Sequence, residues 1–310
     1  VTPLLDGQGV ASAHHRSSAG DVVTAALRAQ VQALWSWEPA VRTDDADAVH
    51  QARITVRTLR SLLATYRPVL ERSTTDPLRD ELRWFGGVLG AARDAEVVRA
   101  TCAALLEAEP SGLVLGPVPA RIAGTLDAAH ARAHAAVVDA LDGARWFRLL
   151  DALDALLPTA APARAAAGRA GQVLPACVHR DWVRLRRSVS ALDGAVSPAE
   201  RAELLHEVRK AAKRLRHGSE SAAVVVGRPA RRTARRARAV ERVLGTAQDA
   251  TLARQVLRDT AAAADAAGEP TFTYGRLDAR VEASAAHVEE EFAVAWAALD
   301  RQKGRGWLRA

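Results

Sequence analysis

The sequence predicts an all-α protein built as two similar four-helix-type bundles related by an internal pseudo-twofold axis. Three observations carry that expectation. Aromatic residues are only 4% of the 310 while hydrophobic residues are 49%, an Ala- and Leu-rich balance that favours helix over strand. Apolar positions recur at helical spacing along most of the chain, and no segment alternates as a strand would. Two blocks of the first half return in the second, in the same order.

Taken in order, residues 1–20 hold Pro, Gly, Ser and the His14-His15 pair without apolar periodicity and read as a tail or linker. Val23, Leu27, Val31 and Leu34 mark a first helix that Pro39 should end. Asp44, Asp45 and Asp47 suit the start of a second, which Pro68 stops. Asp76-Pro77 reads as N-cap and first residue of a third. Gly90 is expected to interrupt it, with a new helix from Asp94 to Glu107. Ile122 to Leu141 marks a long helix, and Trp146 to Leu157 a shorter one. The Pro158–Pro162 stretch then divides a first bundle, 21–157, from a second, 158–302, with 303–310 as a C-terminal tail. Ser197-Pro198-Ala199-Glu200 combines an N-cap Ser, Pro at N1 and Glu at N3. Leu277 through Leu299 follow one long final helix.

Charge narrows the function. The chain carries 43 Lys+Arg against 36 Asp+Glu, a net of +7. From Arg201 to Arg242 there are 13 basic and 4 acidic residues, so this one stretch holds the whole positive surplus. A local excess of that kind points to a polyanionic partner. No apolar run is long enough for a membrane span. Two cysteines, Cys102 and Cys177, exclude a disulfide framework and a thiolate zinc cluster, and read as small buried hydrophobes.

The duplicated blocks show what the charge is for. Val49-His50-Gln51-Ala52-Arg53-Ile54-Thr55-Val56-Arg57-Thr58-Leu59-Arg60 matches Leu205-His206-Glu207-Val208-Arg209-Lys210-Ala211-Ala212-Lys213-Arg214-Leu215-Arg216, 156 residues on (206 − 50). Leu89-Gly90-Ala91-Ala92-Arg93-Asp94 matches Leu244-Gly245-Thr246-Ala247-Gln248-Asp249 at an offset of 155 (245 − 90). Within the first block the basic side chains fall at i, i+3, i+7 and i+10. At about 100° per residue these lie within an arc of roughly 80°, stacked along about 15 Å of helix. Like charges so stacked repel, and Glu207 is the only acid in either block. Such a stripe calls for compensating acid or an external polyanion.

At these residues the chain resembles the CHAD family, the conserved histidine α-helical domain. The family's hallmark reads roughly H-x-x-R-x-x-x-[RK]-[RK]-L-[RK], present twice, each followed by L-G-x-x-x-D. Thr58 departs from it in the first block, and Gln248 stands where the first half has Arg93. The resemblance implies two helical bundles about a pseudo-twofold axis, inorganic polyphosphate bound along a basic channel, and a cytoplasmic location at polyphosphate granules. Members of that family often follow a triphosphate-tunnel catalytic domain; nothing here resembles its E-x-E-x-K strand, and such a domain would lie upstream of Val1 if the chain is a fragment.

The expected phosphate contacts are Arg53, Arg57, Arg60, Arg209, Lys213 and Arg216, with Arg83, Arg93, Arg214, Arg235 and Arg238 as second choices. His50 and His206 either donate to phosphate and gain charge as it binds, or cap a helix or sit satisfied in the core. Asp94 and Asp249 are expected to orient Arg or His, or to cap the next helix, and Gly90 and Gly245 to allow a close approach or tight turn. No catalytic residue, metal site or cofactor is expected, and the reading is of a binding domain, not an enzyme. Nucleic acid using the same stripe is the second candidate partner, and a metal-dependent phosphohydrolase the third class. Gly86-Gly87 with Gly90 lacks the preceding strand of a dinucleotide loop. His130 and His134 have metal spacing without a third ligand and suit an interhelix role.

Overall fold

The computed structural model describes residues 17–159, 164–301 and 306–309. Among these the chain forms ten α-helices and no strand, only an isolated bridge between Ser18 and Arg169. They are α1 (Ala19–Arg42), α2 (Ala48–Thr65), α3 (Arg72–Glu107), α4 (Val118–Asp142), α5 (Ala144–Thr159), α6 (Ala170–Ser190), α7 (Pro198–Val226), α8 (Arg228–Ala266), α9 (Phe272–Ala285) and α10 (Val288–Asp300). In the first half α1 packs on α2, α2 on α3, and α3 on α4. In the second, α6 packs on α7, α7 on α8, and α8 on α9 and α10.

The bridge carries a local twofold relation. Ala19 N–H donates to Gly168 O at 2.8 Å, and Ala170 N–H to Ser17 O at 3.0 Å. Ala19-Gly20 opens α1 as Ala170-Gly171 opens α6. At that register, 151 residues (170 − 19), Val23, Leu27, Val31 and Leu34 meet Leu174, Val178, Trp182 and Leu185, all buried. Equivalent residues thus exchange equivalent hydrogen bonds across the seam. One hydrophobic cluster runs from Ala19 to Leu308 through both halves. A smaller one joins the distal parts of α3 and α8 with α4 and α9 around Cys102, Ile122, Tyr274 and Leu277. Both cysteines are buried in these clusters, and burial pushes each thiol up to about 11.

Several predicted boundaries move, each for a local reason. Pro39 does not end α1, which continues to Arg42, because a proline in the last turn removes a single N–H while Thr43 N–H still reaches Pro39 O. The N-cap of α3 is Glu71, whose carboxylate accepts from Ser73 N–H at 3.2 Å. Asp76 is engaged instead by Arg67, and Pro77 sits inside the helix. Gly90 does not interrupt α3, which runs unbroken for 36 residues, about 54 Å. A helical glycine costs only about 1 kcal/mol, which packing on α2 and α4 offsets. The predicted final helix is two, since the backbone breaks between Ala285 and Val288. The Ser197 start is as expected, with Ser197 Oγ accepting from Glu200 N–H at 3.2 Å. Of the predicted tails, 1–16, 303–305 and 310 lie outside the described residues, as do residue 302 and 160–163, which take in most of the Pro-rich divider. Gly306–Arg309 forms a 3-10 turn with Leu308 buried and Trp307 donating to Thr233 Oγ1 at 3.2 Å.

Candidate polyanion-binding groove

The stripes on α2 and α7 meet because their apolar faces do. Val56 and Leu59 on α2, and Val208 and Leu215 on α7, are buried, which turns the His/Arg edge of each helix away from the core. The two helices pack against each other, and polar contacts fix the seam between them. Tyr66 Oη donates to Gly218 O at 3.2 Å and lies 2.7 Å from Ser221 Oγ, and Arg214 donates to Ala64 O at 2.7 Å. Thr58, the first-half departure from the motif, lies 3.3 Å from Nδ1 of the buried His217.

The result is a groove with two connected basins. One, of about 470 Å³, is lined by His50, Arg53, Arg57 and Arg93 of the first half and His206, Arg209, Arg216 and Arg238 of the second. The other, of about 370 Å³, adds Arg60, Arg79, Arg83, Lys213 and Arg214. Arg53, Arg57, His206 and Arg209 line both. Arg235 lines neither basin but an adjoining hollow with Val224 and Arg231, which shares Arg238 with the larger basin.

Each half supports its stripe in the same way. A Cβ on Gly90 would lie 3.6 Å from Arg53 Nε, and one on Gly245 would lie 3.4 Å from an Arg209 terminal nitrogen. The two glycines therefore leave room for the first arginine of each motif beside α3 and α8. Asp94 Oδ1 lies 3.9 Å from the Arg53 guanidinium, and Asp249 lines the same basin. Burial raises the Asp249 carboxyl, with Arg209 opposing.

The groove's cations outnumber their partners. The Nε atoms of Arg57 and Arg209, and Nδ1 of His50, are buried without a hydrogen-bond partner. Burial, with Glu241 opposing, lowers Arg57 to about 10, so it keeps its charge at neutral pH. Burial, followed by the charges of Arg57 and Arg209, brings Lys213 down to about 7. Both motif histidines are lowered, His50 by burial and then Arg93, His206 by burial and then Lys210.

Other expected contacts are already engaged. Arg216 is nearly buried, with Nε 2.7 Å from Glu241 and a terminal nitrogen 3.2 Å from Glu220. Arg93 donates to Glu96 at 2.8 Å, and the exposed Arg83 to Asp80 at 2.7 Å. Arg214 turns away toward Asp181, 2.6 Å from its Nε. The sequence reading missed the acidic site residue Glu241, along with the lining cations Arg79, Lys210 and Arg242. Glu241 lies four residues before Gly245, where the first half has Gly86, and repeat alignment alone would have exposed that difference. His130 reaches Asp44 at 2.8 Å and His134 donates to Val41 O at 2.8 Å, tying α4 to the end of α1. Among the described residues no cluster of three or more His, Cys, Asp or Glu could hold a metal, and no helix is long and apolar enough to cross a membrane.

Comparison with known proteins agrees with the all-α fold. Two curated relatives from Mycobacterium tuberculosis are each 37% identical over 287 residues: uncharacterized protein MT2285 of strain CDC 1551 / Oshkosh and uncharacterized protein Rv2226 of strain ATCC 25618 / H37Rv. The alignment covers 91% of this chain and 53% of each relative, so the chain spans about half their length. Among solved structures, PptA from Streptomyces chartreusis superposes with a TM-score of 0.71 at 21% identity, covering 91% of this chain and 100% of that one. The CHAD domain from the plant Ricinus communis gives 0.69 at 23%, covering 91% and 93%. A CHAD domain match extends over residues 25–258, and with both motif copies placed on one groove the chain belongs to the CHAD domain family.

Proposed function

We propose that the groove between α2 and α7 binds inorganic polyphosphate and that the domain is a binding module, not an enzyme. The observation that supports it best is a groove lined by both stripes, in which the buried Nε atoms of Arg57 and Arg209 have no hydrogen-bond partner. Buried donors without partners cost about 1–3 kcal/mol each, a penalty that turning either guanidinium onto a phosphoryl oxygen in the groove would relieve. Arginine forks suit non-bridging phosphate oxygens bidentately, and the rigid helices hold the forks in place before binding. Family membership supports the same ligand, and the proposed setting is the cytoplasm, at polyphosphate granules.

Arg57→Glu combined with Lys213→Glu should lower polyphosphate affinity about a hundred-fold or more, about 2.7 kcal/mol, with helicity unchanged by circular dichroism. Retained affinity would remove the groove from the function. Competition identifies the ligand: polyphosphate should displace nucleic acid far better than the reverse, and base-dependent affinity would favour nucleic acid. Free phosphate released from polyphosphate in Mg²⁺ or Mn²⁺ would overturn the non-enzymatic reading.

A further inference from the structure

The cationic surface does not end at Arg214. Arg214 and Ala64 line the groove and also a third basin of about 690 Å³. Its remaining walls carry Arg67 and Arg72 on one side and Arg180, Arg184 and Arg187 of α6 on the other. Its single lining carboxylate, Asp181, is buried, accepts from Thr65 Oγ1 at 2.5 Å and is paired with Arg214. That carboxylate is therefore engaged first inside the protein, and acts on Arg184 and Arg180 only as a weaker, longer-range charge. Arg67 is held by Asp76 at 2.5 Å, whereas Arg72, Arg180, Arg184 and Arg187 form no ion pair among the described residues.

The α6 arginines fall at i, i+4 and i+7, within roughly 60° of one another on the helix and along about 10 Å of it. Like charges so spaced destabilise a helix. The duplication shows that the fold does not need them. At the register where Ala19-Gly20 meets Ala170-Gly171, the first half has Ala29, Ala33 and Ser36 at these positions. Three neutral residues on α1 correspond to three exposed arginines on α6, while the buried positions of both helices stay apolar.

We infer that this basin is a second, outer segment of the polyphosphate path, which a long chain enters by crossing Arg214. This rests on the groove reading above, and it makes the domain select for chain length. A short anion fills the central groove alone. A long one continues onto α6, where the exposed arginines meet it as it leaves the groove.

The test transplants the first-half residues: Arg180→Ala, Arg184→Ala and Arg187→Ser together. All three positions are exposed, and alanine favours helix, so the fold should hold; a thermal melt checks it. Affinity is measured by calorimetry for tripolyphosphate and for long-chain polyphosphate over a salt series. The expected result is about a ten-fold or greater loss for the long chain, and a salt slope shallower by about one per arginine removed, as for other phosphate contacts. Tripolyphosphate should bind as before. Unchanged long-chain affinity, or equal losses for both anions, would overturn the outer segment. The groove reading fails separately, if Arg57→Glu with Lys213→Glu leaves tripolyphosphate binding intact.

Discussion

The two stripes occupy equivalent helices, yet they differ where the duplication places their last arginine. Arg60 on α2 faces Gly86, whose Cβ would lie 3.7 Å from an Arg60 terminal nitrogen. Arg216 on α7 faces Glu241 at 2.7 Å. Gly86 and Glu241 stand 155 residues apart (241 − 86), the offset of the second repeated block. A single position thus separates an arginine left open to the groove from one neutralised inside the protein. Burial and the charges of Arg83 and Arg79 lower Arg60, so the first half concentrates uncompensated charge that the second half partly cancels. Duplication conserved the geometry of the stripe, and counter-charge divided the labour between the copies.

Glu241→Gln should have the largest effect. It removes the counter-charge of the nearly buried Arg216 and the nearest carboxylate to Lys213, 4.0 Å away. Leaving a buried cation short of its partner costs about 3 kcal/mol; the apo protein should melt several degrees lower. Polyphosphate affinity should rise at the same time. A variant that melts like the parent would mean that Glu220 alone compensates Arg216.

Next comes pH. Lys213 faces Arg53 and Arg57 from α2, Arg209 on its own helix and Glu241 from α8. Because it sits near 7, it is largely neutral at alkaline pH and must take up a proton when the anion binds. Affinity should therefore fall from pH 7 to 9, by at most about ten-fold per unit for one proton. Apo stability should move the other way. The folded lysine is depressed below its unfolded value, so the unfolded chain binds more protons between about 7 and the ordinary lysine range, and stability rises with pH there. Lys213→Arg should flatten the affinity profile above pH 7. The lowered His50 and His206 leave an acid-side rise in place. Proton uptake at pH 8, read by calorimetry in buffers of different ionisation enthalpy, checks the sign directly.

Gly86→Glu asks whether the first half can be made to behave like the second. The added carboxylate should engage Arg60 and weaken polyphosphate binding about five-fold, roughly 1 kcal/mol. Its Cβ would meet Val56 Cγ1 at 3.3 Å, so a small stability loss accompanies it. Unaltered affinity would mean that Arg60 lies off the path.

What the sequence disclosed and what it hid follow from the same duplication. The stripe was legible because helical spacing turns a linear motif into a face, and the glycines because they recur at one offset. Glu241 was hidden because its partner position, Gly86, falls outside the motif. The α6 arginines were hidden because α1 and α6 align at 151 and not 156, the intervening connections differing in length. Asp181 carried no local signal at all. Its role comes from α2, α6 and α7 meeting at Thr65, Asp181 and Gly218, where a Cβ would lie 3.1 Å from Thr65 Cγ2. Helix boundaries at Pro39, Pro77 and Gly90 differ from the sequence expectation for a related reason. Local propensities of about 1–3 kcal/mol are outweighed once a helix is packed along its length.

The smallest effect should come from completing the symmetry. Gln248 stands where the first half has Arg93, and both line the larger groove basin. Arg93 is held by Glu96, whose equivalent at the same offset is Thr251. Gln248→Arg would therefore place a cation at the groove without the carboxylate that restrains its twin. A partly exposed cation in solvent is worth about 0.2–1 kcal/mol, so affinity should rise only about two-fold, with a salt slope steeper by about one. The slope is the sharper readout. A steeper slope at nearly constant affinity would place the new arginine on phosphate. A gain in affinity with no change in slope would mean it acts by displacing Asp249 from Arg209, and the asymmetry between the halves would then lie in how each aspartate restrains its arginine.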